Sequence, residues 1–215
     1  MTLPPDESPT MTLRHAFAAA LLATCAGAQA QSIALTDQTT LGDVFPWGEG
    51  IAMTTAAAES GESPLSGSSA LLFDALEAGL GLAAGSLPAE VLEGSAFRLD
   101  FTLDAPARVG FDWALNTLEL DPAFADRAFV QVDGGALQWL GRAGAALLTG
   151  RFSHAFTGAG AHTLTLGVVD VGDVGGLSVL SADGLSVSAV PEPAALALLL
   201  AGLGVVGVAA RRRAG

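Results

Sequence analysis

Two runs of strict alternation constrain this chain more than any other feature. Phe97, Leu99, Phe101 and Leu103 alternate with Arg98, Asp100 and Thr102, and Val109, Phe111, Trp113 and Leu115 alternate with Gly110, Asp112 and Ala114. A period of two sends every second side chain to one face, so each run predicts a half-buried antiparallel strand. Asp104-Ala105-Pro106-Ala107 between them is a turn. Ala128, Val130 and Val132 predict a third strand, and Asp133-Gly134-Gly135 is a hairpin signal returning through Leu137 and Trp139. Further strands are predicted at Phe152 to Phe156, through Leu164, Leu166 and Val168, and at Leu177 to Leu180 and Leu185 to Val187. Short strands with glycine turns predict a mainly β fold, an antiparallel, jelly-roll-like β-sandwich over residues 31–189.

Upstream, Ile33 to Pro64 is weakly patterned and predicts an edge strand or two and a flexible loop. One short helix is expected near 69–82. Ser68 or Ser69 would cap it, Leu72, Phe73, Leu76 and Leu80 would form its apolar face, and Gly85 would end it. Asp74 and Glu77 would then face solvent. Trp113 and Trp139 fit core positions, and Trp47 fits an exposed one.

The two ends of the chain predict its routing. Arg14 with the apolar stretch Ala16 to Ala23 and the small-x-small sequence Ala28-Gln29-Ala30 before Gln31 reads as a signal peptide over residues 1–30, with Met11 the better start. Leu22-Ala23-Thr24-Cys25 offers a competing lipoprotein reading, which Thr24 fits poorly. Cys25 is the sole cysteine, so cleavage after Ala30 leaves no disulfide to brace the exported part. At the other end Val190-Pro191-Glu192-Pro193 leads into an uncharged run, residues 194–210, followed by Arg211-Arg212-Arg213. As a helix that run rises about 26 Å, the short end of what crosses a bilayer core of about 30 Å. The arginines hold its end in the cytoplasm and leave the preceding chain outside.

At Val190 to Pro193, Leu200-Ala201-Gly202-Leu203-Gly204 and Arg211 to Arg213 the chain resembles the PEP-CTERM sorting tail of Gram-negative bacteria. The resemblance implies recognition by exosortase, a membrane-embedded cysteine transpeptidase-like enzyme, with tail removal near Pro-Glu-Pro in a species that makes exopolysaccharide. It implies a route through the Sec translocon, signal peptidase and an inner-membrane precursor to the cell surface or extracellular matrix. The middle of the chain resembles the extracellular β-sandwich domains that commonly precede such tails. The matching residues are Gly94-Ser95-Ala96, Phe111-Asp112-Trp113 with Thr117 and Glu119, Ala128-Phe129-Val130 before Asp133-Gly134, and Gly167 to Asp173. It departs at Ala114 and at Ala182-Asp183-Gly184, where those domains usually carry asparagine.

Charge narrows the partners. Residues 31–190 hold five arginines, no lysine and nineteen acidic residues, a formal charge of −14. Such a surface repels nucleic acid and anionic lipid and suits divalent cations. Asp112, Glu119, Asp121, Asp170, Asp173 and Asp183 fall in loops or at strand ends. Asp170 and Asp173, spaced across Val171-Gly172 in a turn, are the candidate Ca²⁺ ligands. No other cofactor is expected.

No catalytic constellation stands out. His154 and His162 lie in no HExxH or GxSxG context, and Ser153, His162 and Asp170 make a triad only on paper. Asp112 and Glu119 pair as glycosidase carboxylates on equally little. The only Thr-x-Thr row available for ice binding is Thr163-Leu164-Thr165. The expectation is a structural or adhesive protein of the cell surface or exopolysaccharide matrix and not an enzyme. The alternatives are a Ca²⁺-dependent carbohydrate-binding module and, third, a weak hydrolase.

Overall fold

A computed structural model describes residues 34–57, 61–118, 121–144, 146–173, 175–190, 200–205, 207 and 210–212. The signal-peptide residues Ala28, Ala30 and Gln31, the tail residues Pro191, Glu192, Pro193 and Arg213, and Glu119 lie outside them.

The alternating runs fold as strands of two packed antiparallel sheets. One sheet contains β1 (Ala34–Leu41), β5 (Val91–Leu103), β10 (Gly160–Val171), β7 (Arg127–Val132) and β8 (Gln138–Arg142) in that spatial order, with the two-residue β4 (Leu71–Leu72) also on β5. The other runs β2 (Val44–Trp47), β3 (Gly50–Thr54), β11 (Ser178–Ala189), β6 (Ala107–Thr117) and β9 (Leu148–Phe156). From β8 onward each strand crosses to the opposite sheet, the jelly-roll manner of closing a sandwich. The weakly patterned region supplies β1 and β2 as edges, and Pro46, which cannot donate to a ladder, sits on the β2 edge.

The core lies where the alternation points. Leu99, Phe101 and Leu103 of β5 meet Val109, Phe111, Trp113 and Leu115 of β6, joined by Val130, Leu166 and Leu180. Burying one such side chain contributes about 1.5–3 kcal/mol. Two glycines make room for large rings, Gly150 for Trp113 in this core and Gly167 for Phe129 outside it. A Cβ on Gly150 would stand 2.5 Å from the Trp113 indole, and one on Gly167 would stand 2.3 Å from the Phe129 ring. The two strands predicted at 177–180 and 185–187 are a single strand, β11, whose pairing with β6 shifts register between Asp183 and Ser186.

The helix, α1 (Phe73–Leu80), is shorter than its sequence pattern predicts. Leu71 and Leu72 are extended because they pair with Gly94 and Glu93, so neither Ser68 nor Ser69 caps it. Gly81, not Gly85, ends it in the left-handed conformation at φ 71°, with Leu82 N donating to Glu77 O. Leu76 and Leu80 pack with Leu87, Val91, Phe129 and Val169 in a second apolar cluster. Leu72 and Phe73 stay exposed. Glu77 does not face solvent: it is 2% exposed, and its carboxylate accepts from Gly85 N (2.8 Å) and Leu87 N (2.6 Å). Those donors hold its carboxyl below the usual carboxylate range. A turn returning over the helix end needs an acceptor for its amides, and Glu77 provides it.

Beyond the sandwich, residues 200–205, 207 and 210–212 are helical, with Leu200, Leu203 and Val205 exposed. Among the described residues no helix is long and apolar enough to cross a membrane. Much of the expected span 194–210 lies outside those residues.

Candidate functional site

Buried polar side chains gather at the end of the sandwich where β3, β6 and β10 finish and β5, β7 and β11 begin. Asp43, Thr54, Thr55, Glu93, Ser95, Asp126, Asp170 and Ser178 are all at most 3% exposed. Part of this end is saturated with hydrogen bonds. Asp43 accepts from Thr54 Oγ1, Leu65 N (3.0 Å) and Ser66 N (2.6 Å), which ties segment 61–70 to β3. Burial alone would raise the Asp43 carboxyl, but the donors from Ser66, Thr54 and Leu65 outweigh it and hold the group below the usual carboxylate range. Thr55 Oγ1 accepts from Ser178 N, joining β3 to β11.

The other part is a row of carboxylates. Leu164, Leu166 and Val168 face the core, and the next inward position of β10 is Asp170. Val168 pairs with Ala128 of β7, and Val169 pairs with Gly94 of β5. The same registers place Asp170 level with Asp126 on one side and Glu93 on the other, beside a register shift between Val169 and Val171. Asp126 Oδ1 accepts from Val171 N at 3.2 Å. Asp170 is 2% exposed and its Oδ1 has no hydrogen-bond partner. Burial first, then the charges of Asp126, Glu93, Asp173 and Glu62, push its carboxyl up to about 9. As the side chains stand, no three His, Cys, Asp or Glu residues among those described are placed to hold a metal ion.

Asp170 and Asp173 therefore come together, though not in a turn: Asp170 lies inside the last stretch of β10. Glu93 and Asp126 were missed from sequence. Their signal was present, since extending the inward rows Phe97-Ser95 and Val130-Ala128 by one step reaches Glu93 and Asp126.

The remaining candidates are dispersed. Asp112 is bound by Arg151 Nη1 through both oxygens (2.9 and 2.8 Å) on the outer face, and Asp183 is its register partner on β11. Asp121 caps a single helical turn at Pro122–Phe124. The paper triad does not assemble: His162 Nδ1 is 3.0 Å from Asp133 Oδ2, Ser153 Oγ accepts from Arg108, and Asp170 sits in the carboxylate row. Thr163 donates to Asp100 and Thr165 is buried, so this row presents no flat threonine face. Trp47 is 62% exposed, and Trp139, a fit for the core by sequence, is 41% exposed in a groove with Leu82, Ser86 and Leu137. Arg127 lies 5.6 Å above the Trp139 ring.

Comparison with solved structures returns matches at low similarity. A CBM4 structure matches with 8% identity and a TM-score of 0.33, covering 70% of this chain and 93% of that one. The N-terminal cellulose-binding domain of Cellulomonas fimi β-1,4-glucanase C matches with 8% identity and a TM-score of 0.32, covering 72% and 90%. TmCBM61 in complex with β-1,4-galactotriose matches with 11% identity and a TM-score of 0.29, covering 76% and 90%. No curated protein sequence matches this chain. The end of the chain does match a family model: residues 189–213 match the PEP-CTERM protein-sorting motif, which implies an exported protein directed to exosortase, here behind an antiparallel β-sandwich.

Proposed function

We propose that the chain is the precursor of a structural or adhesive protein of the cell surface or exopolysaccharide matrix. In this reading the Sec translocon exports it and signal peptidase cuts after Ala30. The run 194–210 then holds it in the inner membrane with Arg211, Arg212 and Arg213 on the cytoplasmic side. Exosortase cuts near Pro191-Glu192-Pro193 and releases the sandwich. The observation that carries the reading is the sorting motif beginning at Ala189, the last residue of β11, which leaves the whole sandwich on the released side. No catalytic role is proposed, since Ser153 is engaged by Arg108, His162 by Asp133, and Asp170 sits among other carboxylates. Replacing Pro191, Glu192 and Pro193 together by alanine tests the route. Retention of the variant in the inner membrane is expected, and release equal to wild type contradicts it.

A second reading, glycan binding, is favoured by the exposed Trp139 in its groove, because a half-exposed indole beside an open cleft suits a sugar face. Its test is retention on purified exopolysaccharide. Trp139→Ala reduces retention if the reading holds, and unchanged retention removes it.

A further inference from the structure

Carboxylates are placed in a protein interior at a cost of several kcal/mol each unless something opposite in charge accompanies them. Glu93 on β5 and Asp170 on β10 occupy neighbouring inward positions, Asp126 immediately precedes β7 on the other side of β10, and Asp173 follows in the next loop. Arg127, next to Asp126 in sequence, is engaged with Glu90 at 3.2 Å and stacked on Trp139. Asp43, at the same end of the sandwich, shows how this chain satisfies a buried carboxylate with protein donors alone. Asp170 receives no such treatment: it is 98% buried, faces the other carboxylates, and its Oδ1 has no donor.

We propose that Glu93, Asp126, Asp170 and Asp173 form a binding site for one Ca²⁺ ion, which locks β5, β10 and β7 together at this end of the sandwich. Ca²⁺ fits better than Mg²⁺ because it accepts six to eight oxygens in irregular geometry and sheds its water readily. The side chains as they stand do not enclose an ion, and rotation toward a divalent charge relieves their mutual repulsion. Export brings the chain to surroundings where modules with Kd of about 10⁻⁴–10⁻³ M are loaded. Loading of the site in the cell rests on that export, whereas the binding itself uses residues that take no part in sorting.

The test uses the full chain, purified in detergent and stripped with EDTA, with CaCl₂ and MgCl₂ as probes. Calorimetry is expected to show one Ca²⁺ per chain, and 2 mM Ca²⁺ to raise Tm by several degrees, with Mg²⁺ giving little. Glu93→Gln and Asp170→Asn are expected to fold, to match or exceed the metal-free wild type in Tm, and to lose the Ca²⁺ increment. If a variant fails to fold, hydrogen exchange of the wild type decides the matter: Ca²⁺ should protect amides of residues 91–95, 126–128 and 168–173 above all others. No stoichiometric Ca²⁺, a Tm indifferent to it, an equal response to Mg²⁺, an increment kept in both variants, or protection confined elsewhere would each overturn the proposal.

Discussion

Asp126 Oδ1 accepts a hydrogen bond from the backbone nitrogen of Val171, one residue past Asp170, so a carboxylate from the head of β7 is fixed against the end of β10. This bond gives Asp126 two roles that mutation separates. Asp126→Asn keeps an oxygen to accept from Val171 and removes one negative charge beside Asp170. In EDTA it should stabilise the chain by about 1–2 kcal/mol, because it removes a charge from a buried position surrounded by other carboxyls. Asp126→Ala also strips the acceptor and should destabilise by about 1–3 kcal/mol. Urea unfolding of both variants at pH 7 in EDTA checks the opposite signs.

Asp43 predicts the acid limb of stability. Its carboxyl is held below the usual range in the folded state by the donors of Ser66, Thr54 and Leu65, against the opposing effect of burial. A depressed folded pKa contributes stability that is fully present above the unfolded value of about 3.9 and is lost as pH falls through the folded value. Wild type should therefore weaken below about pH 4, and Asp43→Asn should lose that part of its pH dependence. Asp43→Ala should cost about 1–3 kcal/mol at pH 7, since the buried Thr54 hydroxyl and two part-buried amides lose their acceptor. Denaturant midpoints at pH 3 and pH 7 measure both effects.

Gly167 is fixed by packing and not by its backbone, as the Phe129 ring lies 2.3 Å from where its Cβ would be. Gly167→Ala should destabilise by about 1–3 kcal/mol through overpacking. Phe129→Leu in the same chain should recover part of that loss, which a double-mutant cycle followed by thermal unfolding reads as coupling. Additive losses would mean that the ring and the glycine do not constrain each other.

Elements governed by a clean local period were legible in sequence. Phe97 to Leu103 and Val109 to Leu115 form strands with the predicted faces inward, because alternation and core burial select the same conformation. The helix start was misplaced because Leu71 and Leu72 take their extended form from pairing with Gly94 and Glu93 of β5, a partner distant in sequence that no local pattern reveals. Glu77 was misassigned for the same kind of reason: its acceptor role depends on a turn folding back over it. Asp170 was singled out with Asp173, yet the row that surrounds it depends on the registers of β5 and β7 against β10, which only the assembled sheet sets. The sorting motif was legible because it is a contiguous signal, independent of tertiary structure.

The central claim is that the PEP-CTERM motif delivers this sandwich to exosortase, and the intact mass of the native product tests it most directly. The product should be compared between membrane and released fractions of cells with and without the enzyme. The predicted result is a released chain beginning at Gln31 and ending near Pro193 only when exosortase is present. A chain that keeps residues 194–215 in both strains, or is released equally in both, would contradict it.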